Sequence, residues 1–170
     1  LKNAIRLTNS DPGFIVLKSH SGKLEFKIGL DSNGKELPES LFQISNSVVE
    51  DVFYNGQSRF IEGAQSDVTL ESSKSILRLD LQTILCSPLI TDGNKIGVIY
   101  VDSKHLHRIK EKETTSTVEI LAGQAAAAIR NAQLYQSQLS ANSALQEANT
   151  QLIQAERKAL KAGIDSEIGQ

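Results

Sequence analysis

The stretch from Thr83 to Asp102, TILCSPLITDGNKIGVIYVD, places two apolar runs on either side of Thr91-Asp92-Gly93-Asn94. Asp-Gly and Gly-Asn both offer residues that tolerate the positive φ of a tight hairpin. With either dipeptide at the turn, odd residues of the first strand pair with even residues of the second. Leu85, Ser87 and Leu89 are therefore expected on one face with Val98 and Tyr100, and Ile84, Cys86, Ile99 and Val101 on the other. Both faces are mostly apolar, which in an antiparallel hairpin implies central strands covered on both sides. The rest of the chain must supply two covers.

Upstream, Leu1, Ile5 and Leu7 fit the last turns of a helix, which Ser10-Asp11-Pro12-Gly13 breaks. Phe14-Ile15-Val16-Leu17 reads as a short buried strand. After Ser21-Gly22, the residues Leu24, Phe26, Ile28 and Leu30 alternate with polar ones, as on an outer strand. Residues 31–40 form a loop. A helix follows with Ser45 as a candidate cap, Val48, Val49, Val52 and Phe53 as its apolar side, and Asn55-Gly56 as its end. Arg59-Phe60-Ile61 is a short strand. Residues 62–75 are polar and lack a clear period, Ile76, Leu77 and Leu79 suggest one helical turn, and 62–80 together are expected to form an irregular lid over one face of the sheet.

From about Ser116 a second helix is expected, capped by Thr115 or Ser116. Val118, Leu121, Ala125, Ala128, Ala132, Tyr135 and Leu139 recur at steps of three and four, a heptad-like stripe of small residues. Gly97 shares a face with Ile99 and Val101, so close approach of the Ala-rich helix to that face is expected. No Pro follows Pro88, and no Gly lies between Gly123 and Gly163. A helix from Ser116 to Lys161 is about 70 Å long at ~1.5 Å per residue, longer than a small domain needs. Past Leu139 the apolar positions move to Leu145, Ala148, Leu152 and Ala155, a slip of one residue in the heptad. A thin seam on so long a helix calls for a partner, most simply in a parallel dimer.

Composition excludes several classes. The chain has 170 residues, 39% of them hydrophobic, so one ordinary domain with an appendage and a real core is expected. Its 18 basic and 20 acidic residues leave a net charge of -2, with no basic surplus to suit nucleic acid. No apolar run nears the ~20 residues of a membrane helix. Cys86 is the only cysteine, which rules out an internal disulfide or a cysteine zinc site and suggests a cytoplasmic setting. The start, Leu1-Lys2-Asn3, lacks methionine and any signal-peptide pattern, as expected of a segment from a longer protein. Gly-x-Ser-x-Gly, Walker and His-Glu-x-x-His motifs are lacking, so no catalytic residues and no metal ligands are assigned.

The chain resembles a GAF domain, the sensory and regulatory module of bacterial signalling proteins and of cyclic-nucleotide phosphodiesterases. The matching text is Ser75-Ile76 with Leu79, then Thr83 to Leu89, then Ile96 to Asp102, and finally Gln124 to Tyr135. The likeness covers residues 4 to 139. It implies an α+β, PAS-like GAF fold: a central antiparallel sheet, terminal helices on one face, and a lidded pocket on the other. A long C-terminal coiled-coil helix follows. Domain limits are expected at 1–139 for the GAF domain and 140–162 for a signalling linker, with 163–170 beginning a further segment. The candidate pocket is then Phe60, Asp67, Leu85, Ser87, Leu89, Val98 and Tyr100. Ser87 and Tyr100 are its polar groups on an apolar floor. The dimer and signalling helix carries Leu121, Ala125, Ala128, Ala132, Tyr135, Leu139, Leu145 and Leu152.

Cyclic-nucleotide-binding members carry Asn-Lys after the second hairpin strand, then Phe, three residues and Asp-Glu. Here the stretch is Ser103-Lys104, then Ile109, Lys110-Glu111-Lys112 and Glu113-Thr114, a departure that argues against a cyclic nucleotide. Cys86 lies in a strand with no adjacent His, which argues against a covalent bilin. His105 and His107 read as exposed loop residues. The tail, Ala162 to Gln170, resembles both the start of a histidine-kinase dimerisation helix, with Ser166 in place of the phospho-accepting His, and a segment leading into bacterial phosphatase domains. The expected function is therefore small-molecule sensing in a multidomain signalling protein. A homodimeric helix would pass the state of the sensor to a downstream effector, and neither nucleic acid nor a membrane is an expected partner. The rivals are a ligand-free dimerisation module and a redox enzyme of the methionine-sulfoxide-reductase type, whose chemistry needs more than one reactive Cys.

Overall fold

The computed structural model describes residues 1–41, 44–63, 82–105 and 111–168, without the side chains of 111–113 and 164–168. The elements are α1 (Lys2–Thr8), β1 (Gly13–Lys18), β2 (Leu24–Leu30), α2 (Asn46–Asn55), β3 (Arg59–Glu62), β4 (Thr83–Thr91), β5 (Asn94–Ser103) and α3 (Glu111–Ile168). A short 3₁₀ turn spans Glu39–Leu41. The five strands form one antiparallel sheet in the order β2-β1-β5-β4-β3, so the predicted hairpin is central and β2 is an outer strand. The chain forms two compact units, Leu1–Ala128 and Ile129–Gln170, and α3 contributes to both.

The hairpin turns on Asp92-Gly93, with φ of 51° and 73°, between the paired residues Thr91 and Asn94. Two successive positive φ values match the right-handed twist of the flanking strands. Ile90 pairs with Lys95, but Leu89 pairs with Gly97. Ile96 is thus an extra residue, a bulge, and it reverses the parity of everything below it. The expectation that Leu85, Ser87 and Leu89 share a face with Val98 and Tyr100 is corrected. Their partners are Val101, Ile99 and Gly97, whereas Tyr100 lies opposite Cys86 and Val98 opposite Pro88. A second bulge, at Lys27, puts Phe26 opposite Val16 and Ile28 opposite Ile15. It splits the alternating apolar residues of β2 between the two faces.

One face packs under α2. Phe14, Val16, Ile61, Ile84, Cys86, Val98 and Tyr100 meet Val48, Val49, Val52 and Phe53 in one core cluster. Helix α2 starts after Ser45 and stops at Gly56, whose φ of 72° is the left-handed conformation that ends helices. The Ser45 side chain does not cap it, and its Oγ lies 3.1 Å from Ser47 Oγ instead. The other face carries Leu85, Leu89, Ile99 and Val101, all essentially inaccessible. Helix α1 lies on it, with Ile5 seated where a side chain at Gly13 would stand. Asn9, with φ of 52°, ends α1 before the Ser10-Asp11-Pro12 break.

Helix α3 starts at Glu111, earlier than the cap expected at Thr115 or Ser116. Its buried residues in the first unit are Val118, Ala122 and Ala126, at steps of four. Val118 belongs to the expected stripe, of whose next members Leu121 and Ala125 are half-buried and Ala128 is exposed. A row at steps of four is one of the side-chain ridges by which helices pack, inclined by about 26° to the helix axis. Two of these three contacts are Ala. At about 0.8 kcal/mol per buried CH₂, they contribute less than the Val row of α2, so the α2 side holds the main core. At Gly97 the nearest neighbour is β1. A Cβ there would come within 2.1 Å of the Val16 carbonyl oxygen on β1, so its small size serves the bulge.

Candidate functional site

Tyr100 stands on the central strand, fully buried, with its ring 6.2 Å from that of Phe14. Its hydroxyl accepts the backbone N–H of Ser45 at 3.4 Å, a contact that ties β5 to the start of α2. Burial raises the hydroxyl's pKa well above the usual tyrosine range, and the nearby Asp102 carboxylate adds to the effect. Val98 lies below Tyr100 on the same face, within the α2 core.

Asp102 follows on that face, opposite Ile84. It is only 2% exposed, and its Oδ2 has no hydrogen-bond partner among the described residues. Such an atom costs free energy unless something pairs with it. Burial raises the carboxyl pKa to about 7; the Tyr100 hydroxyl opposes the rise, Asp11 adds to it, and Lys104 also opposes it. The group is therefore able to hold or release a proton near neutrality. Its backbone is held by β1's approach: Asp11 N–H donates to Asp102 O at 3.1 Å, and Ser103 Oγ donates to Asp11 Oδ2 at 3.1 Å.

Beside this floor, a cavity of about 200 Å³ lies between β1, β2 and the first turn of α2. Val16, Leu24, Phe26, Ile44 and Val49 make its apolar wall, and Asn46 and Glu50 its polar rim. Small-molecule pockets usually run to roughly 300–1,000 Å³ and combine an apolar lining with a few placed polar groups. The composition matches that description and the volume is below it.

Phe60, Leu85, Ser87 and Leu89 stand on the opposite face, so the structure does not join them to Val98 and Tyr100. Ser87 Oγ and Ser58 Oγ lie 2.8 Å apart at the rim of an open cleft of about 540 Å³. Pro88, Ile90 and Gln57 line this cleft along with Glu119 and Gly123, which places α3 alongside the Leu85 face. Asp67 and the lid expected over 62–80 lie, but for residues 62 and 63, outside the described residues, as do His107 and the side chain of Glu113. His105 is exposed. Leu139, Leu145, Leu152 and Tyr135 are exposed on α3, as is Ala132. Cys86 is fully buried, and burial drives its thiol pKa far above the ordinary range.

Sequence reasoning missed the Asp102 carboxyl and the α2 cavity. The first had a signal: a lone Gly inside a strand, Gly97, marks a bulge and so a change of face. The second had none, because Asn46 and Glu50 read as ordinary helix-surface residues. Among the described residues, no cluster of three His, Cys, Asp or Glu is placed to hold a metal, and no helix is long and apolar enough to cross a membrane.

A sheet of this order, with terminal helices against one face and a short helix over a polar-floored core on the other, is the architecture of a small regulatory module. The sequence model of the GAF domain matches residues 1–130, and the chain belongs to that family. Solved structures of low identity share the fold. The GAF3 domain of Slr1393 from Synechocystis, in its photoproduct state, superposes with a TM-score of 0.62 at 15% identity, over 78% of this chain and 90% of that one. The GAF domain of a two-component sensor histidine kinase from Bacillus halodurans gives 0.54 at 20%, over 78% and 92%. The type II free methionine-R-sulfoxide reductase of Thermoplasma acidophilum gives 0.55 at 16%, over 72% and 80%. A comparison with curated proteins found no match. GAF domains are signalling and sensory modules, generally regulatory.

Proposed function

We propose that this GAF domain senses a small molecule on the α2 side of its sheet, within a multidomain bacterial signalling protein. The observation that carries this reading is the buried Asp102 Oδ2, without a partner among the described residues, beside the Tyr100 hydroxyl on an otherwise apolar floor. A ligand with a hydrogen-bond donor would satisfy that oxygen. Contact between Tyr100 and the Ser45 N–H would then link the floor to α2. The state of the domain would pass along α3, in a homodimer, to a downstream effector in the cytoplasm; this chain is itself no enzyme. Such signalling requires two states with different ligand affinity. Cyclic nucleotide and covalent bilin are not the ligands of this reading, for the sequence reasons given above.

The test is native mass spectrometry of the purified chain and of its Asp102→Asn variant. An adduct on the parent that the variant loses supports the reading. An equal adduct on both places the ligand elsewhere, and no adduct at any added metabolite pool favours the second reading. That second reading is a ligand-free dimerisation module. It draws on the side chains of Phe14, Val98 and Tyr100, which fill the floor themselves.

A further inference from the structure

We infer that the cavity between β1, β2 and α2 takes a small organic cation, an apolar body that ends in an ammonium group beside Glu50. This rests on the reading that the α2 side binds a small molecule, and it names the class of that molecule. Asp102 does not line the cavity, so the two sites can be tested apart. The apolar wall is part of the fold's own core. Val16, Ile44 and Val49 are buried in the core cluster, and Leu24 and Phe26 pack against it. Strand β2 brings Phe26 opposite Val16, and an edge-on contact with Phe14 at 6.0 Å fixes its ring. The volume of about 200 Å³ sets the size of the ligand. At ~30 Å³ for each water-sized group, it admits roughly six or seven non-hydrogen atoms.

Charge selects the class. Asn46 and Glu50 lie four residues apart on α2, so both side chains stand at the same rim. Among the described residues Glu50 makes no ion pair, and neither side chain makes a hydrogen bond. The adjacent Asp51 differs: Asn55 Nδ2 and Arg59 Nη1 both donate to its carboxylate. No cation lines the cavity, and Lys27 on β2 is held by Glu25 at 2.9 Å. A neutral apolar ligand would take water from the Glu50 carboxylate and return nothing. An anion would gain from the start of α2, where Ser45 supplies no side-chain cap, but it would meet Glu50 at the same rim. A cation pairs with Glu50, accepts the Asn46 carbonyl, and is also attracted by an aromatic wall.

The test is a ligand-detected NMR titration of the full chain at low salt and neutral pH. Pentylamine, pentanol and pentanoate are the probes, which share one apolar body and differ in charge. Pentylamine is expected to bind roughly five- to ten-fold more tightly than pentanol, and pentanoate more weakly than either. Glu50→Gln, at an exposed position, is expected to bring the amine within about two-fold of the alcohol and to leave the alcohol unchanged. Leu24→Trp, which fills the cavity, is expected to abolish binding of all three; if that variant unfolds, Glu50→Gln decides alone. Equal binding of amine and alcohol, tighter binding of pentanoate, no binding of any probe, or an amine preference that survives Glu50→Gln overturns the inference. Asp102→Asn separates it from the sensing reading. Amine binding lost there and kept in Glu50→Gln places the cation at Asp102, which overturns the inference and leaves that reading standing. Amine binding kept in Asp102→Asn and lost in Glu50→Gln supports the cavity whether or not an adduct depends on Asp102.

Discussion

Leu89 lies opposite Gly97, although Ile90 lies opposite Lys95. That one-residue offset decides which side chains of the central hairpin look toward α2. It puts Tyr100 and Asp102 together on the main core side and sends Ser87 to the other. Gly97 is what allows β1 to lie against the bulged strand. Gly97→Ala should destabilise the domain by roughly 2–4 kcal/mol, since its Cβ would strike backbone that does not move aside. Urea unfolding measures it. A cost below that of an exposed Gly93→Ala would show that the strand simply reopens.

The row of α3 that meets the first unit is Val118, Ala122 and Ala126. Ala122→Leu should therefore cost roughly 1–3 kcal/mol by overpacking. Ala128→Leu, at an exposed position, should change stability by no more than about 0.5 kcal/mol. The reverse order in thermal unfolding would restore the stripe expected from the sequence.

Asp102 gives stability a pH dependence of defined sign. Its folded pKa of about 7 lies above the ordinary 3.8, so the folded chain keeps a proton that the unfolded chain has released. Its contribution to stability is therefore greatest below about pH 4, falls as pH rises to about 7, and is level above that. At about 1.36 kcal/mol per pH unit, the whole fall is a few kcal/mol at most. Asp102→Asn should gain on the parent between pH 5 and pH 8. If both proteins show the same slope in urea titrations at those two values, the carboxyl is charged and satisfied in the folded state.

The thiol of Cys86 sits in the core with its pKa driven up, so a disulfide reagent should reach it only through unfolding. Modification is expected at the global unfolding rate, rising in step with urea. Fast labelling of the native protein would reopen the redox reading. Cys86→Ala should cost about 1 kcal/mol, the scale of a small cavity.

Four-residue insertions into α3 between Ala141 and Leu145 should weaken dimerisation and uncouple any output, whereas a seven-residue insertion should spare both. Equal effects in sedimentation and in an output assay would count against transmission by helix rotation.

The hairpin was legible in the sequence because Asp92-Gly93 between two apolar runs admits few alternatives, and the family followed from text near it. Strand β1, helix α2 with its Gly56 end, and the outer position of β2 were legible for the same local reasons: turn residues and short apolar periods. The faces were not. Side-chain parity along a strand depends on counting every residue between it and its partner. One extra residue at Ile96 and another at Lys27 change that count without changing composition. Which row of α3 packs inward was likewise decided only in three dimensions, since Ala fills all sides of that helix and sequence spacing does not rank them. The buried Asp102 was visible as a letter, but its isolation from water exists only in the folded chain. Local propensity determined the elements of this protein, and the register between distant strands determined which residues its core encloses.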